Sequence, residues 1–205
     1  MNKNTYDIYF DLGSSKLRVA GFDKKEKNQI FFFDKNCLSN LKSSQLELLD
    51  TEKTIDKTII EIEKKTGEHL KDINLMLDTP DAISIILSVS KQNEKKNISK
   101  KDIQYLIQDA KQQILSSNQD KNIIHIIINN YRVDDKNFET LPLNMECKKL
   151  SIDIVFICFP KVIVENLKKL FSKHQISINQ FICSSYAKSF NYKNNFKKYD
   201  KIAFL

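Results

Sequence analysis

Glycine is scarce in this chain. Its 205 residues include three glycines, where an average usage of about 7% would give roughly fourteen. Two of the three stand in one segment, YDIYFDLGSSKLRVAGFD, which runs from Tyr6 to Asp23. A residue type this rare is expected where the backbone cannot carry a side chain. We therefore expect Gly13 to have a positive φ and to admit a ligand, and Gly21 to allow close packing in a strand.

Long apolar runs are also absent. No run approaches the 18 residues that a membrane-spanning helix needs. The N-terminal residues MNKNTYD lead directly into a strand pattern and lack the apolar region of a secretory signal. These absences predict a cytoplasmic chain.

Cysteine and histidine do not stand at metal-ligand or catalytic spacing. The four cysteines form no CxxC pair, which predicts buried free thiols in a reducing compartment. They are Cys37, Cys147, Cys158 and Cys183. His125 stands among isoleucines and is expected to be structural, whereas His69 and His174 follow helix patterns and are expected to be solvated. Because no Ser/His/Asp or Cys/His arrangement is recognisable, nucleophilic hydrolysis is not predicted.

Positive charge is in excess but is not concentrated. The chain has 33 Lys and Arg against 26 Asp and Glu, for a net charge of +7. The lysines are scattered over nearly every polar segment, as an AT-rich coding bias would produce. Without an aromatic-basic stripe or zinc spacing, we predict no binding to nucleic acid.

The hydrophobic periodicity predicts alternating strands and helices. In the first part we predict strands at 6–12, 16–22, 29–34 and 73–78, and a helix at 51–67 that Gly67 ends. In the middle part, residues 79–159, we predict a strand at 82–90, a lysine-rich turn and a helix at 99–115, which begins with a Ser99–Asp102 capping box. A strand at 122–133, a polar loop and a strand at 150–159 follow. The polar loop starts with an acidic turn at Asp134 and Asp135. A helix beginning at Pro160, a strand at 178–183 and the small-residue segment 184–190 follow. The last run, YDKIAFL at 199–205, is a predicted strand, and because the chain stops inside it we expect a truncated protein.

The segment DLGSSK has the residue types of a phosphate-binding turn. Consecutive N–H groups from Gly13 to Lys16 could surround phosphate oxygens, and the hydroxyls of Ser14 and Ser15 add donors. Lys16 would neutralise phosphate charge, and Asp11 could hold a magnesium ion through water. Neither a Walker A nor a GxGxxG pattern is present. The alternative is an ordinary hairpin with glycine in its turn.

The segment DLGSSKLRVAGF resembles the first phosphate hairpin of the actin-like ATPase superfamily. Within that superfamily the order of elements is similar to the FtsA family of bacterial cell division proteins. Two further stretches carry the resemblance. One is the insert pattern ISKKDIQYLIQDAKQQI, NIIHIIINNYRVDD and LSIDIVFICFP, which is similar to the family's SHS2-type subdomain; the other is VIVENLKKLFSKHQISINQFICSSYAKSF.

The resemblance implies a mixed fold, α+β or α/β. Residues 1–78 and 160–205 would form a partial actin-like (ribonuclease-H-like) first lobe, and residues 79–159 a strand–helix–strand–strand insert. The resemblance covers nearly the whole chain, but only the first half of an FtsA-type protein. One departure is the loop LPLNMECKK, where Asn144 and Cys147 stand in place of the family's glycines; we expect Asn144 to preserve the turn.

The resemblance also implies a function. ATP with Mg²⁺ would bind from one side to Asp11, Gly13, Ser14, Ser15 and Lys16, with Asp11 at the metal. The insert would bind other cell division proteins and support self-association. FtsZ would bind a second lobe, and a C-terminal helix would bind the membrane; we expect both to be absent from this chain. The whole protein would lie at the inner face of the membrane at the division site.

Three alternatives remain open at this stage. A PilM-like type IV pilus assembly protein shares the actin-like core and a related insert. A small interaction scaffold would have a hairpin that binds nothing. A sugar or acetate kinase shares the opening hairpin but lacks a strand-rich insert at this position. For residues 1–205 alone we predict no ATPase activity, because the second half of the site is missing.

Overall fold

The computed structural model describes residues 5–42 and 48–195. The chain divides into two compact units, one formed by Met1–Asp81 with Val162–Leu205 and the other by Ala82–Lys161. Their elements follow in chain order: β1 Tyr6–Leu12, β2 Lys16–Asp23, β3 Gln29–Asn36, α1 Leu49–Thr66, β4 Asp72–Leu77, β5 Ile83–Asn97, α2 Lys100–Ser117, β6 Lys121–Val133, β7 Lys136–Phe138, β8 Glu146–Pro160, α3 Lys161–Ser172, β9 Ser177–Cys183 and α4 Ser184–Asn195.

The first unit is built on a five-stranded sheet in the order β3-β2-β1-β4-β9. The first three strands form an antiparallel meander, and β1, β4 and β9 run parallel to one another. Alternate residues of β1, β2 and β4 are buried, for example Ile8, Phe10 and Leu12 of β1. Crossovers between parallel strands are right-handed, so the connections through α1 and α3 place both helices on one face, where Phe10 meets Phe171 edge to face at 5.3 Å.

The second unit is a four-stranded antiparallel sheet in the order β5-β8-β6-β7, with α2 against one face. The helix predicted at 99–115 corresponds to α2, and its buried face consists of Ile103, Leu106, Ala110 and Ile114. Ser99 and Asp102 form the predicted capping box. At the other sheet face Ile86 is 71% exposed, because α2 covers the opposite side.

Several predicted boundaries were wrong, and each error has a local cause. The lysine-rich turn after residue 90 is a continuation of β5, which a bulge between Gln92 and Lys96 carries through to Asn97. Glu94 and Lys95 take positive φ there. The polar loop after β6 contains β7 and the first residues of β8, where strand pairing overrides a polar composition.

Other local predictions are confirmed or corrected at single residues. Gly67 ends α1 in the left-handed conformation, with φ 69°, and Asn144 preserves its turn with φ 62°. Pro160 ends β8, and the helix begins one residue later. His174 is not simply solvated, because its Nε2 lies 2.7 Å from Oδ1 of Asp56.

The remaining predictions concern single residue types and the chain end. All four cysteines are buried and free. The acidic pair after β6 forms the expected turn, and the carboxylate of Asp134 accepts hydrogen bonds from the amides of Lys148 and Lys149. His125 is partly buried in β6, and this burial lowers its pKa. Among the described residues no helix is long and apolar enough to cross a membrane. The strand predicted at 199–205 lies outside the described residues.

Candidate functional site

The carboxyl ends of three parallel strands meet at one edge of the first sheet. Leu12 is paired with Leu77, and Leu77 with Cys183. The residues that follow the three strands therefore lie side by side, at the sheet edge where open α/β sheets bind ligands. They are Gly13, Asp78 and Ser184.

A cleft of about 450 Å³ opens at this edge. The predicted site residues Asp11, Gly13 and Ser14 line it, whereas Ser15 and Lys16 do not. The rest of the lining comes from strand ends and from α4, and it was not predicted from the sequence. It consists of Leu12, Arg18, Asp78, Thr79, Pro80, Ser184 and Lys188.

Asp11 is held by two partners. Its Oδ1 accepts a hydrogen bond from Oγ of Ser184 at 2.9 Å, and its Oδ2 lies 3.4 Å from a guanidinium nitrogen of Arg18. Arg18 is directly opposite Asp11 in the β1–β2 ladder, so the hairpin register alone brings them together. The carboxylate is thus fixed at the cleft wall.

Lys16 does not lie with the other predicted site residues at the cleft. Its Nζ lies 3.0 Å from Oδ2 of Asp34 on β3, which also lies 3.8 Å from Nε of Arg18. Lys16 and Arg18 alternate with buried Leu17 on β2 and therefore share a sheet face. Of these two cations, Arg18 is the one that reaches the cleft.

Gly13 does not adopt the positive φ that we expected, since Gly67 is the positive-φ glycine of the described chain. Its N–H donates to the carbonyl of Lys16 at 2.9 Å and closes the hairpin. A Cβ atom at Gly13 would lie 3.3 Å from that same carbonyl oxygen. The glycine is thus explained by a close approach of backbone within the turn.

The carbonyl groups of this turn all bond to the segment that follows β3. Ser39 donates from Oγ to the carbonyl of Gly13 at 2.7 Å and from its N–H to that of Ser14 at 3.1 Å. Cys37 donates to the carbonyl of Ser15 at 3.0 Å. In a trans peptide the N–H points opposite to the C=O, and the described chain has no cis bonds. The N–H groups of Ser14 and Ser15 therefore point away from residues 37–39.

Asp78 fixes the start of α4 at the opposite wall of the cleft. Its carboxylate accepts hydrogen bonds from the amide of Ser185 at 3.1 Å, from the hydroxyl of the same residue at 2.7 Å and from Sγ of Cys183 at 3.3 Å. Thr79 donates from Oγ1 to the carbonyl of Leu41 at 2.6 Å. A carboxylate directly after a buried strand is the sequence signal that could have identified Asp78.

The donor set suits an anion better than a directly coordinated metal. No group of three His, Cys, Asp or Glu side chains that could hold a metal ion occurs among the described residues. Arg18, Lys188 and Ser14 line the cleft together with the carboxylates of Asp11 and Asp78. Such donors fit phosphate oxygens, and carboxylates fit a hard cation held partly by water.

Comparison with known proteins finds a sequence family similar to the second unit and a solved structure similar to the whole chain. Residues 81–158 match the family model described as "SHS2 domain inserted in FTSA", so the second unit is similar to the SHS2 domain that is inserted in FtsA. The chain as a whole is similar to the solved structure of a PilM-PilN type IV pilus biogenesis complex, at 9% identity and a TM-score of 0.58, over 93% of this chain and 51% of that one. The expected fold class, an actin-like subdomain interrupted by a strand–helix–strand–strand insert, is confirmed.

Two other solved structures match with lower TM-scores. The cytoplasmic domain of EpsL, an inner membrane component of the type II secretion system of Vibrio cholerae, matches at 9% identity and a TM-score of 0.37, over 87% of this chain and 55% of that one. A Bacteroides thetaiotaomicron protein with an actin-like ATPase fold matches at 12% identity and a TM-score of 0.43, over 95% of this chain and 58% of that one. The chain thus spans a little over half the length of these structures. No curated protein sequence matches it significantly.

Proposed function

We propose that the first unit is one half of a nucleotide site, which binds ATP with Mg²⁺ at the DLGSSK hairpin. The observation that carries this proposal is the cleft at the carboxyl ends of β1, β4 and β9, whose lining includes Asp11, Gly13 and Ser14. The N–H groups of Ser14 and Ser15 are the amides proposed to meet the phosphates. Their carbonyls are already bonded elsewhere, so the turn is rigid before any ligand arrives.

The charged residues of the hairpin have different proposed parts. Arg18 is at the cleft wall and can approach phosphate while it keeps Asp34 as a partner. Lys16 can contribute only after it leaves Asp34, 3.0 Å away. Asp11 would hold Mg²⁺ through water, since both of its oxygens have protein partners. When bound, the ion would neutralise phosphate charge beside the carboxylates.

We expect the 205-residue chain to bind but not to hydrolyse ATP. The cleft offers two carboxylates, and both are engaged in hydrogen bonds to Ser184, Ser185 or Cys183. Orienting an attacking water requires a group aimed at it from the opposite side of the nucleotide. The resemblance to actin-like ATPases implies that this group belongs to the second lobe.

Nuclear magnetic resonance provides the test of binding. The ¹⁵N-labelled chain is titrated with Mg-ATP into the millimolar range, and the amide shifts of Ser14 and Ser15 are followed. We expect them to move with Mg-ATP and not with adenosine, while amides of the second unit serve as an internal control. Shifts that are the same for adenosine, or that spare the hairpin, would contradict the proposal and favour an interaction scaffold.

The second unit is proposed to be a protein-interaction module of a cell division protein. The match of residues 81–158 to the SHS2 domain inserted in FtsA supports this assignment. The partners would be other division proteins and a second copy of the chain, with FtsZ binding a second lobe. A PilM-like role in type IV pilus assembly is the second candidate, and the likeness to the PilM-PilN complex supports it.

Binding of purified partners separates these two candidates. The chain is immobilised and exposed to the division proteins and to the PilN-type protein of the same organism. Ile86→Asp, on the uncovered sheet face of the insert, tests whether the insert is the contact. Binding of division proteins that the variant weakens supports the first role, and binding of the PilN-type protein supports the second. Binding of neither would overturn both.

A further inference from the structure

We propose that Lys188, on α4, supplies the unpaired positive charge of the phosphate site. This inference rests on the proposed nucleotide site and assigns one of its contacts to a residue outside the hairpin motif. The ligand class is a polyphosphate, of which ATP is one example. Three observations carry the inference: the place of Lys188 in the cleft, the way α4 is fixed there, and the pairing of the other cations.

The position of Lys188 follows from the start of α4. Lys188 lines the same cleft as Asp11 and Ser14. It stands four residues after Ser184, and residues four apart lie on the same face of a helix. Since Ser184 bonds to Asp11 at 2.9 Å, this face of α4 is turned toward the cleft.

The first turn of α4 is firmly held. Ser184 is buried, and its neighbour Ser185 bonds to Asp78 through both its amide and its hydroxyl. The helix is therefore anchored to β1 by the carboxylate of Asp11 and to the end of β4 by the carboxylate of Asp78. An exposed lysine one turn along such a helix needs to order only its own flexible stem in order to reach a bound anion.

The other two cations near the hairpin are already neutralised. Lys16 pairs with Asp34, and Arg18 is shared between Asp11 and Asp34. Lys188 makes no ion pair with any residue of the described chain. A phosphate can bind to Lys188 without breaking an existing ion pair, whereas contact with Lys16 requires the loss of Asp34.

The charge balance of the cleft supports the same assignment. Its charged lining residues are Asp11, Asp78, Arg18 and Lys188, so their formal charges cancel. Removal of Lys188 leaves a net negative lining, which repels a polyphosphate. Because Lys16 does not line the cleft, its removal leaves the formal charge of the lining unchanged.

The test measures binding of Mg-ATP and of inorganic triphosphate to the full 205-residue chain and to three variants. In Lys188→Ala we expect affinity for both ligands to fall about tenfold, the order of one charge-assisted hydrogen bond. Lys169→Ala, an exposed change on α3 with the same loss of charge, is expected to bind like the parent chain. Lys16→Ala is expected to lose less than Lys188→Ala.

Each result separates the two proposals. If the parent chain binds and Lys188→Ala binds equally well, the assignment of Lys188 is overturned while the nucleotide site stands. If Lys16→Ala loses more than Lys188→Ala, the hairpin lysine is the phosphate cation and the inference is wrong. If the parent chain binds neither ligand, the proposed site fails and Lys188 with it.

Discussion

Oγ of Ser184 donates a hydrogen bond to Oδ1 of Asp11 over 2.9 Å, and the two residues are 173 positions apart in sequence. Asp11 is the penultimate residue of β1 in the opening hairpin, and Ser184 begins the last described helix. The bond therefore links the proposed phosphate hairpin to the element that carries Lys188. Ser184 is buried and Asp11 is partly exposed at the cleft wall, so the bond is partly shielded from water, and its loss removes one hydrogen bond from the carboxylate.

Replacing Ser184 with alanine should lower the free energy of unfolding by about 1 kcal/mol, the usual net value of one buried hydrogen bond. Urea denaturation followed by circular dichroism measures the change. Ser189→Ala is the matched control, because that hydroxyl bonds only within α4, to the carbonyl of Tyr186. A variant at Ser184 as stable as the control would show that the bond to Asp11 contributes nothing.

Gly21→Ala should be strongly destabilising, by about 1–3 kcal/mol, the usual cost of forcing an extra carbon into a packed core. A Cβ atom there would lie 2.3 Å from Cε1 of Phe31, which confirms that Gly21 serves close packing. Because the clash is with one ring, Gly21→Ala combined with Phe31→Leu should cost less than the sum of the single changes. Additive costs in thermal unfolding would contradict this explanation.

Asp102 should make the stability of the second unit depend on pH in strongly acidic solution. Hydrogen bonds from Lys91 and Ser99 lower its pKa from 3.8 to about 2. A carboxyl group with a depressed folded-state pKa stabilises the fold above its unfolded value, and this contribution is lost as pH falls from 3.8 through about 2.

The difference in stability between the parent chain and Asp102→Asn isolates this effect. It should be largest near neutral pH and shrink through the same acidic window, as measured by urea unfolding at several pH values. Asp109→Asn, at a half-buried position of α2 where the carboxylate accepts a hydrogen bond from the side chain of Gln113, is the control and should show little change. A difference that stays constant with pH would mean that the carboxylate charge plays no part.

Asn144 should be replaceable by glycine but not by alanine. Its φ of 62° is left-handed, where a residue with a Cβ atom costs roughly 1–2 kcal/mol and glycine costs little. The turn holds the loop to the residue that follows β5, since the amide of Asn144 donates to the carbonyl of Ile98 at 3.0 Å. Thermal unfolding should rank Gly at or above Asn and Ala below both. Equal stability of the Ala and Gly variants would rule out the conformational explanation.

Local patterns predicted most elements because neighbouring residues decide them. Alternation of apolar residues marks β1 and β2, and the Ser99–Asp102 capping box marks the start of α2. Local patterns failed in the extension of β5, where polar residues pair with a strand far along the chain, and in β7, a short polar strand that pairs with β6 across a tight turn. Pairing of that kind leaves no periodic signal in a lysine-rich segment.

The sequence by itself determined that a tight turn at Gly13 and Ser14 follows the strand that contains Asp11, since the residue types and the hairpin register are local. The tertiary structure alone decided which charges face the cleft. Parallel pairing of β1, β4 and β9 brought Asp78, Ser184 and Lys188 to that edge from distant positions. Pairing with β3 placed Asp34 beside Lys16 and removed this lysine from the cleft lining. Strand order is set by long-range packing. The residues of the two cleft walls therefore could not be predicted from any one stretch of sequence, whereas the hairpin turn could.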